Sequence, residues 1–435
     1  GGFPTFGVAW HLGDEEFIQR LGFISLIKLR YSWGQSGNAP TGTSPYIGKF
    51  SAVTPGYGDM SAVKPESPDL THLKYETITS NNIGVDVGLF SDRITFAVEL
   101  YTKVTDDMLQ KKIKVPSSTG LSTVAWYNSG KMENRGWEFN IDVAAVRTKD
   151  WGLNFGFNIS QNKNKVLELP ENQSDETYTF GNKKYAYRVL MGDPLGSFYG
   201  YRYKGVYQNV EETYAVDKTG QQIMDINGAP VVVKNGDQKV YPGDAKYEDV
   251  NGDGVIDEND IVYLGNSNPT LTGGLNFTLR YKKLSLVAAL HGRAGQKVIN
   301  ESRINMENMY GKNNQSVAVL RRWRSEGDNT DIPRALYDKG YNYLGSDRFV
   351  EDASFLRLKT ITLKYQFPEN WMKPLGINKL EIYATGYDLF VWTKYTGQDP
   401  EINLKNPDGS AAQVAIDSNN TPKAMRFAFG LNLRF

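Results

Sequence analysis

The residues from Met425 to Phe435 alternate without a break. Met425, Phe427, Phe429, Leu431, Leu433 and Phe435 are large and apolar, whereas Arg426, Ala428, Gly430, Asn432 and Arg434 are small or polar. Successive side chains of a strand point to opposite faces, so this spacing predicts a strand with one oily face. The same period recurs upstream. Phe3 to Leu12 and Ile27 to Gly34 are the first candidates, with Ile27, Leu29, Tyr31 and Trp33 alternating against Lys28, Arg30, Ser32 and Gly34. Ile83 to Leu89 and Ile94 to Leu100 form a tight hairpin across Ser91-Asp92. Trp137 to Val143 and Trp151 to Ser160 follow, then Leu275 to Tyr281 and Leu284 to Leu290, then 353–366 and 379–392. In 353–366 the apolar phase shifts between Leu356/Leu358 and Ile361/Leu363/Tyr365, as a β-bulge would require.

The connections carry more information than the strands. Read from the C-terminus they are long (393–423), short (367–378), long (294–352), short (282–283), long (162–270), short (147–150), long (104–134), short (91–92), long (36–80) and modest (13–26). Short turns on one rim and long loops on the other characterise outer-membrane barrels, and a soluble sandwich has no reason to keep that alternation. Helical spacing is found at Gln315 to Arg324. The 162–270 stretch lacks sustained alternation, and a structureless connection of that size is unusual, so local structure is expected there. Eleven strands are odd in number, and an open sheet would leave unpaired edges in lipid. The expectation is therefore the C-terminal part of a larger barrel, with at least one strand upstream of Gly1.

Composition narrows the function without contradicting this reading. Lys plus Arg (49) equals Asp plus Glu (49), so no net field argues for nucleic acid, and the absence of cysteine removes thiolate metal sites and Cys nucleophiles. A mean hydropathy of −0.47 and the lack of any long apolar run exclude a transmembrane helix but not a barrel, whose apolar residues are hidden in alternation. Tyr, Phe, Trp and Gly are abundant, as strand-rich proteins with aromatic belts require.

Asp249 to Asp260 fits the twelve-residue calcium-loop pattern. Asp249, Asn251, Asp253, Asp257 and Asp260 occupy the oxygen-ligand positions, Val255 supplies a backbone carbonyl, and Gly254 makes the sharp turn. The twelfth position is Asp where Glu is usual, a shorter carboxylate less suited to bidentate binding; a structural Ca²⁺ is the expectation from the rest of the pattern, against an acidic turn without metal. His11, His72 and His291 are scattered outside any metal or catalytic spacing, and no Walker or dinucleotide glycine motif is present. These patterns do not point to an enzyme. Arg321-Arg322-Trp323-Arg324 reads either as a phosphate or sugar contact or as a solvated face with one packed Trp. Luminal charges are expected from the polar strand positions Lys28, Arg30, Asp86, Glu99, Glu138 and Asp142.

Several segments carry a family resemblance. Gly192 to Gln208, Tyr241-Pro-Gly-Asp244 with the Asp249–Asp260 loop and Gly265 to Pro269, Phe355 to Tyr365, Asp388-Leu-Phe390 and Tyr395 to Pro400 resemble the SusC/RagA-like TonB-dependent transporters of Bacteroidetes, as do Asn128 to Gly136 and the terminal Phe435. The resemblance implies an all-β fold, the C-terminal half of a large antiparallel transmembrane β-barrel (about 11 of 22 strands) with long extracellular loops. By that reading 1–435 is a C-terminal portion of the barrel domain and 162–270 is an extracellular excursion holding the calcium-type loop. The plug domain and early strands would lie outside this chain. It implies further an outer-membrane location and import of oligosaccharides or peptides. Its partners would be a SusD-like lipoprotein, TonB acting through the missing N-terminal part, and outer-membrane lipid. Phe435 would then be the signal for barrel assembly. No substrate-binding residue transfers by position. A secreted, calcium-stabilised β-rich carbohydrate-binding or degrading protein is the alternative that the aromatic loops and the calcium-type loop also suit.

Overall fold

The computed structural model describes residues 2–41, 46–54, 60, 62–114, 117–121, 123–169, 178–179, 185–187, 189–405 and 414–435. Parts of the expected loops 36–80, 104–134, 162–270 and 393–423 lie outside these residues. Each expected strand is present: β1 Thr5–His11, β2 Ile24–Asn38, β3 Glu76–Leu89, β4 Ile94–Asp106, β5 Lys131–Arg147, β6 Trp151–Glu168, β7 Leu271–Tyr281, β8 Leu284–Ala294, β9 Phe355–Gln366, β10 Lys379–Thr393 and β11 Arg426–Arg434. They form one eleven-stranded sheet in chain order, with every neighbouring pair antiparallel.

The register converts the sequence alternation into two unlike faces. Leu153, Leu279, Leu286, Leu363, Ala384 and Phe429 stand side by side across six strands. Phe155, Phe277, Ala288, Ile361, Gly386 and Phe427 form the next row of that face. Phe427 and Phe429 are 68% and 81% exposed, so no dry core of the chain covers them. Removing a large apolar side chain from water is worth about 1.5–3 kcal/mol. A continuous apolar sheet face therefore needs a non-aqueous neighbour, and lipid supplies it. The other face is mainly polar: Asn154, Thr278, Val287, Thr362 and Thr385 share a row, and the Thr362 and Thr385 hydroxyls lie 2.9 Å apart in a hydrogen bond.

The two rims differ as the loop lengths require. At the short-turn end, aromatic pairs line the boundary: Trp151 with Tyr281 (centroids 4.4 Å apart), Tyr365 with Phe367 (5.1 Å) and Phe23 with Phe90 (5.9 Å). Phe390 and Trp392 pair near the opposite end. Such girdles mark the two interfaces of a membrane barrel. The tight β3–β4 turn takes Phe90, Ser91 and Asp92 through positive φ, and Ser25 Oγ holds it by donating to Asp92 Oδ1 at 2.7 Å.

The strands overshoot the membrane at the long-loop end. β6 has 18 residues, whereas a transmembrane strand needs about 9–11. Beyond Ile159 its outward positions become Gln161, Lys163 and Lys165, opposite Trp137, Arg135 and Glu133 of β5. The same loss of apolar signal hides the ends of β2, which runs on to Asn38, and of β3, which starts at Glu76, both inside the stretch expected as the 36–80 loop. Likewise the excursion expected from residue 162 begins after Glu168. The expected loops also hold hairpins of their own, Lys49–Val53 with Ala62–Ser67 and Leu109–Lys114 with Thr123–Asn128. The helical spacing at 315–324 gives only a 3-10 turn, Val317–Arg321. The longer helix, Glu301–Glu307, is N-capped by Asn300, whose side chain accepts from Arg303 N. The expected β-bulge exists: register shifts between Leu358 and Thr360, leaving Lys359 as the extra residue.

Candidate functional site

The buried core of the chain lies in the loops. Tyr185, Phe198, Ile299, Ile304, Phe349, Val414 and Ile416 form one cluster, drawn from the β6–β7, β8–β9 and β10–β11 connections together. Tyr201, Tyr207, Ala215, Val233, Val240, Ala245, Tyr247, Ile256 and Leu344 form a second. Val298, Ala353, Tyr395, Ile402 and Ala415 form a third. Three long loops thus fold as one packed body at the long-loop rim. Buried tyrosines are tied across it: Tyr185 Oη donates to Ser346 O at 2.8 Å, and Tyr247 Oη donates to Tyr341 O while accepting from Leu344 N. Burial pushes both phenols well above their usual range. The 192–208 motif is explained by this core, since Phe198, Tyr199, Tyr201 and Tyr207 are all buried. A Cβ on Gly200 would lie 2.3 Å from Gly345 O, so the motif's glycine permits a close backbone approach.

The calcium-type loop is seated on the second cluster. Asp249 Oδ1 accepts from Gly252 N at 2.7 Å, and its Oδ2 accepts from Gly254 N at 2.7 Å. Asn251 Oδ1 accepts from Asp253 N, and Asp253 Oδ1 from Val255 N. Asp257 caps the short Glu258–Asp260 turn through Asn259 N. Asp260 closes the loop: Oδ1 accepts from Val250 N at 2.7 Å and Oδ2 from Asp257 N at 2.8 Å. The turn expected at Gly254 has φ +82. All six candidate ligand residues therefore lie in one compact loop, and the five side chains among them each accept from its backbone N–H groups. Among the described residues, no group of three His, Asp or Glu side chains stands in a metal-holding arrangement. Asp249 Oδ1 accepts a second hydrogen bond, from Asp253 N at 3.3 Å, so a cation here would have to use the lone pairs that the backbone N–H groups leave free. Burial raises the Asp260 carboxyl above its usual range, and Asp249 adds to this. A cation would offset both.

The polar face carries two further groupings. On β2 to β4, Arg30 forks onto Asp86 (Nε–Oδ2 2.7 Å, Nη2–Oδ1 2.9 Å) and reaches Glu99 at 2.8 Å. Toward the long-loop rim, Asn162 and Asn164 both donate to Asn134 Oδ1, and Tyr101 Oη donates to Asn162 Oδ1 at 3.2 Å. This amide wall borders a cleft of about 390 Å³ that also touches Ser160, Asn268 and Thr272. Tyr101 reaches Asn162 by crossing Gly136, the last residue of the 128–136 motif, where a Cβ would sit 2.6 Å from Tyr101 Oη.

On β9, Arg357 donates to Asp399, while Lys359 and Lys423 both contact Glu401. These ion pairs lash the β10–β11 loop to the inner wall beside a cleft of about 590 Å³ lined by Lys359, Tyr387, Asp388, Lys423 and Arg426. Sequence alternation marks Arg357 and Lys359 only as strand positions around a phase shift, and their loop partners carry no periodic signal. The Arg321–Arg324 cluster resolves toward its packed-Trp reading. A Cβ on Gly243 would lie 2.3 Å from the Trp323 ring, and Arg322 and Arg324 donate to carbonyls of their own turn.

Comparison with known proteins agrees with this architecture. The family model described as TonB dependent receptor-like, beta-barrel matches residues 1–230. The TonB-dependent receptor P3 of Formosa agariphila is 30% identical across the whole chain, which covers 42% of that relative. The TonB-dependent receptor SusC of Bacteroides thetaiotaomicron is 27% identical, with 40% of it covered. A solved structure of the RagAB peptide transporter superposes with a TM-score of 0.77 at 23% identity, over 99% of this chain and 43% of the other. The chain thus spans about two fifths of the length of the relatives it matches.

Proposed function

Because the chain belongs to the TonB-dependent receptor-like β-barrel family, we propose that it forms part of the wall of an outer-membrane importer of oligosaccharides or peptides, powered through TonB. One observation carries the reading: a sheet with an apolar outer face and a charged, amide-rich inner face, crowned by a packed body of long loops. A bare β-wall needs no such body to span a membrane. Loops that fold around their own cores present fixed surfaces to a ligand or partner, and a SusD-like lipoprotein covering that rim is the partner proposed here. SusC and the RagAB peptide transporter, two similar proteins, support this class of activity. A secreted carbohydrate-active protein would have to leave the Phe427 and Phe429 face in water.

Calcium belongs to the same proposal, as a structural ion held by Asp249, Asn251, Asp253, Asp257 and Asp260 with the Val255 carbonyl. Bound there, it would neutralise clustered carboxylates and stiffen the loop body, with no part in transport chemistry.

The test is uptake of labelled oligosaccharides and peptides by cells carrying the full-length transporter. Accumulation that stops when the proton-motive force is collapsed is expected. Uptake that persists without it, or a protein recovered in the soluble fraction without detergent, would refute the proposal.

A further inference from the structure

A recess in the loop body, away from the inner wall, has the features of a ligand subsite. The hairpin of Lys234–Asn235 and Gln238–Lys239 forms one side of it, and the chain around Arg334 to Asn342 forms the other. Its volume of about 300 Å³ lies at the low end of ligand sites, enough for a single ring-sized group. Asn235 stands in this lining, only 5% exposed, and its Oδ1 has no hydrogen-bond partner. Leaving a buried acceptor unmet is unfavourable, so such an atom marks a place where a donor belongs.

The surroundings define the donor's chemistry. Asp244 cannot serve as the ligand's acceptor, because Arg334 grips it through Nε (2.7 Å) and Nη2 (3.1 Å), and Asn342 Nδ2 and Tyr241 N also donate to it. This saturated group is the frame of the recess. The Arg334 guanidinium lies 5.5 Å from the Tyr241 ring centroid, fixing a ring that is still 57% exposed. A fixed, exposed aromatic ring is a flat apolar surface on which a sugar ring can lie. Lys239 and Lys339 line the same recess, both exposed, and neither makes an ion pair among the described residues. The site therefore offers an acceptor at depth, an aromatic surface and two unneutralised cations. A simple carboxylate or sulfate would suit the lysines but has no proton to donate to Asn235, and a hydrogen phosphate, which has one, offers no ring to lie on Tyr241. A neutral sugar would meet Asn235 and leave the lysines without counter-charge.

We propose that this recess is a subsite for an acidic sugar residue, a hydroxyl of which donates to Asn235 Oδ1 while the ring rests on Tyr241 and its anionic group meets Lys239 and Lys339. The proposal rests on the importer reading above and narrows its substrate class. It also couples the recess to the calcium-type loop. Lys234 and Asn235 pair in parallel with Val255 and Ile256 of that loop, and Gly236 N donates to Ile256 O at 3.1 Å.

The test measures binding to the full-length transporter in detergent by calorimetry, with three probes: oligogalacturonate, uncharged galactose oligomers and an acidic tripeptide. Oligogalacturonate is expected to bind at least tenfold more tightly than the uncharged oligomer, with affinity falling as salt rises. Lys239→Gln with Lys339→Gln should remove that advantage, while Asn235→Ala should weaken both saccharides. The lysines are exposed, so the double variant keeps its heat-modifiable migration and reports on the site alone. Equal binding of charged and uncharged oligomers, indifference to the double variant, preference for the tripeptide, or no oligogalacturonate binding would each overturn the proposal. Uptake assays on the wild type stand apart from these results. Proton-motive-force-dependent import of another substrate alongside a failed binding test would sink the subsite and leave the importer intact.

Discussion

Arg357 of β9 donates its Nη2 hydrogen to Asp399 Oδ1 of the β10–β11 loop, and both side chains are buried, 4% and 7% exposed. A strand facing the lumen is thereby fixed to a loop at the mouth. Breaking a buried pair by removing one partner costs far more than the pair contributes, because a charge is left without its counter-charge. Asp399→Asn should therefore loosen the loop by about 3 kcal/mol, the low end of the range for such losses, since Glu401 Oε2 remains 3.4 Å from Arg357 Nε. Limited proteolysis should show faster cleavage within 394–425 and an unchanged barrel core. Equal cleavage rates in wild type and variant would mean that the pair does not anchor the loop.

Glu401 adds a pH signature to the same anchor. Burial alone would raise its pKa, but hydrogen bonds and charges from Lys423 and Lys359 outweigh burial and lower it to about 2, from an ordinary 4.5. A depressed carboxylate stabilises the fold above its unfolded pKa, and that contribution is lost as pH falls through the folded value. Hydrogen exchange in the β10–β11 loop should stay slow down to about pH 4.5 and accelerate between there and pH 2. Glu401→Gln should abolish that transition. A transition centred near neutrality would contradict the assignment.

Calcium binding is checked on the loop itself. Titration to about 1 mM, the range of extracellular calcium modules, should protect residues 215–260 from proteolysis and sensitise terbium luminescence from the nearby tyrosines. Asp249→Asn with Asp253→Asn should remove both effects. Identical proteolysis with calcium and with chelator would return the loop to a metal-free acidic turn.

Gly136 tests the inner amide wall. A Cβ there would meet Gln161 O at 2.1 Å as well as Tyr101 Oη, so the strand backbone has to move. Gly136→Val should cost about 1–3 kcal/mol, as overpacking does. It should lower the heat-modification midpoint, whereas Gly311→Ala, at an exposed loop position with open space around it and no positive φ, should cost less than half as much. A Val variant as stable as wild type would show that Tyr101 does not cross there.

The sheet was legible in the sequence because lipid on one side and water on the other impose a strict period of two from Trp151 to Ile159 or from Phe427 to Leu433. Where β6 leaves the membrane the outer solvent becomes water, the contrast vanishes at Gln161 and Lys163, and the strand end becomes unreadable. The loop body was hidden for a different reason. Its contacts join residues far apart in sequence, such as Tyr185 with Ser346 and Asp244 with Arg334, and no local pattern encodes them. The calcium-type loop was visible as a motif because its contacts are local, running from Asp249 to Asp260. Asn235 carried no signal at all, since its meaning depends on a partner that the chain does not supply.

The membrane-facing wall is tested most directly on β11. The chain has no cysteine, so single cysteines introduced at 426–433 can carry nitroxides in a full-length protein reconstituted in bilayers, with any cysteine outside this chain replaced. Collision with oxygen should peak at Phe427, Phe429 and Leu431, and collision with a water-soluble nickel chelate should peak at Arg426, Ala428 and Asn432. Uniform accessibility along the strand, or chelate contact highest at Phe429, would contradict a lipid-facing barrel wall.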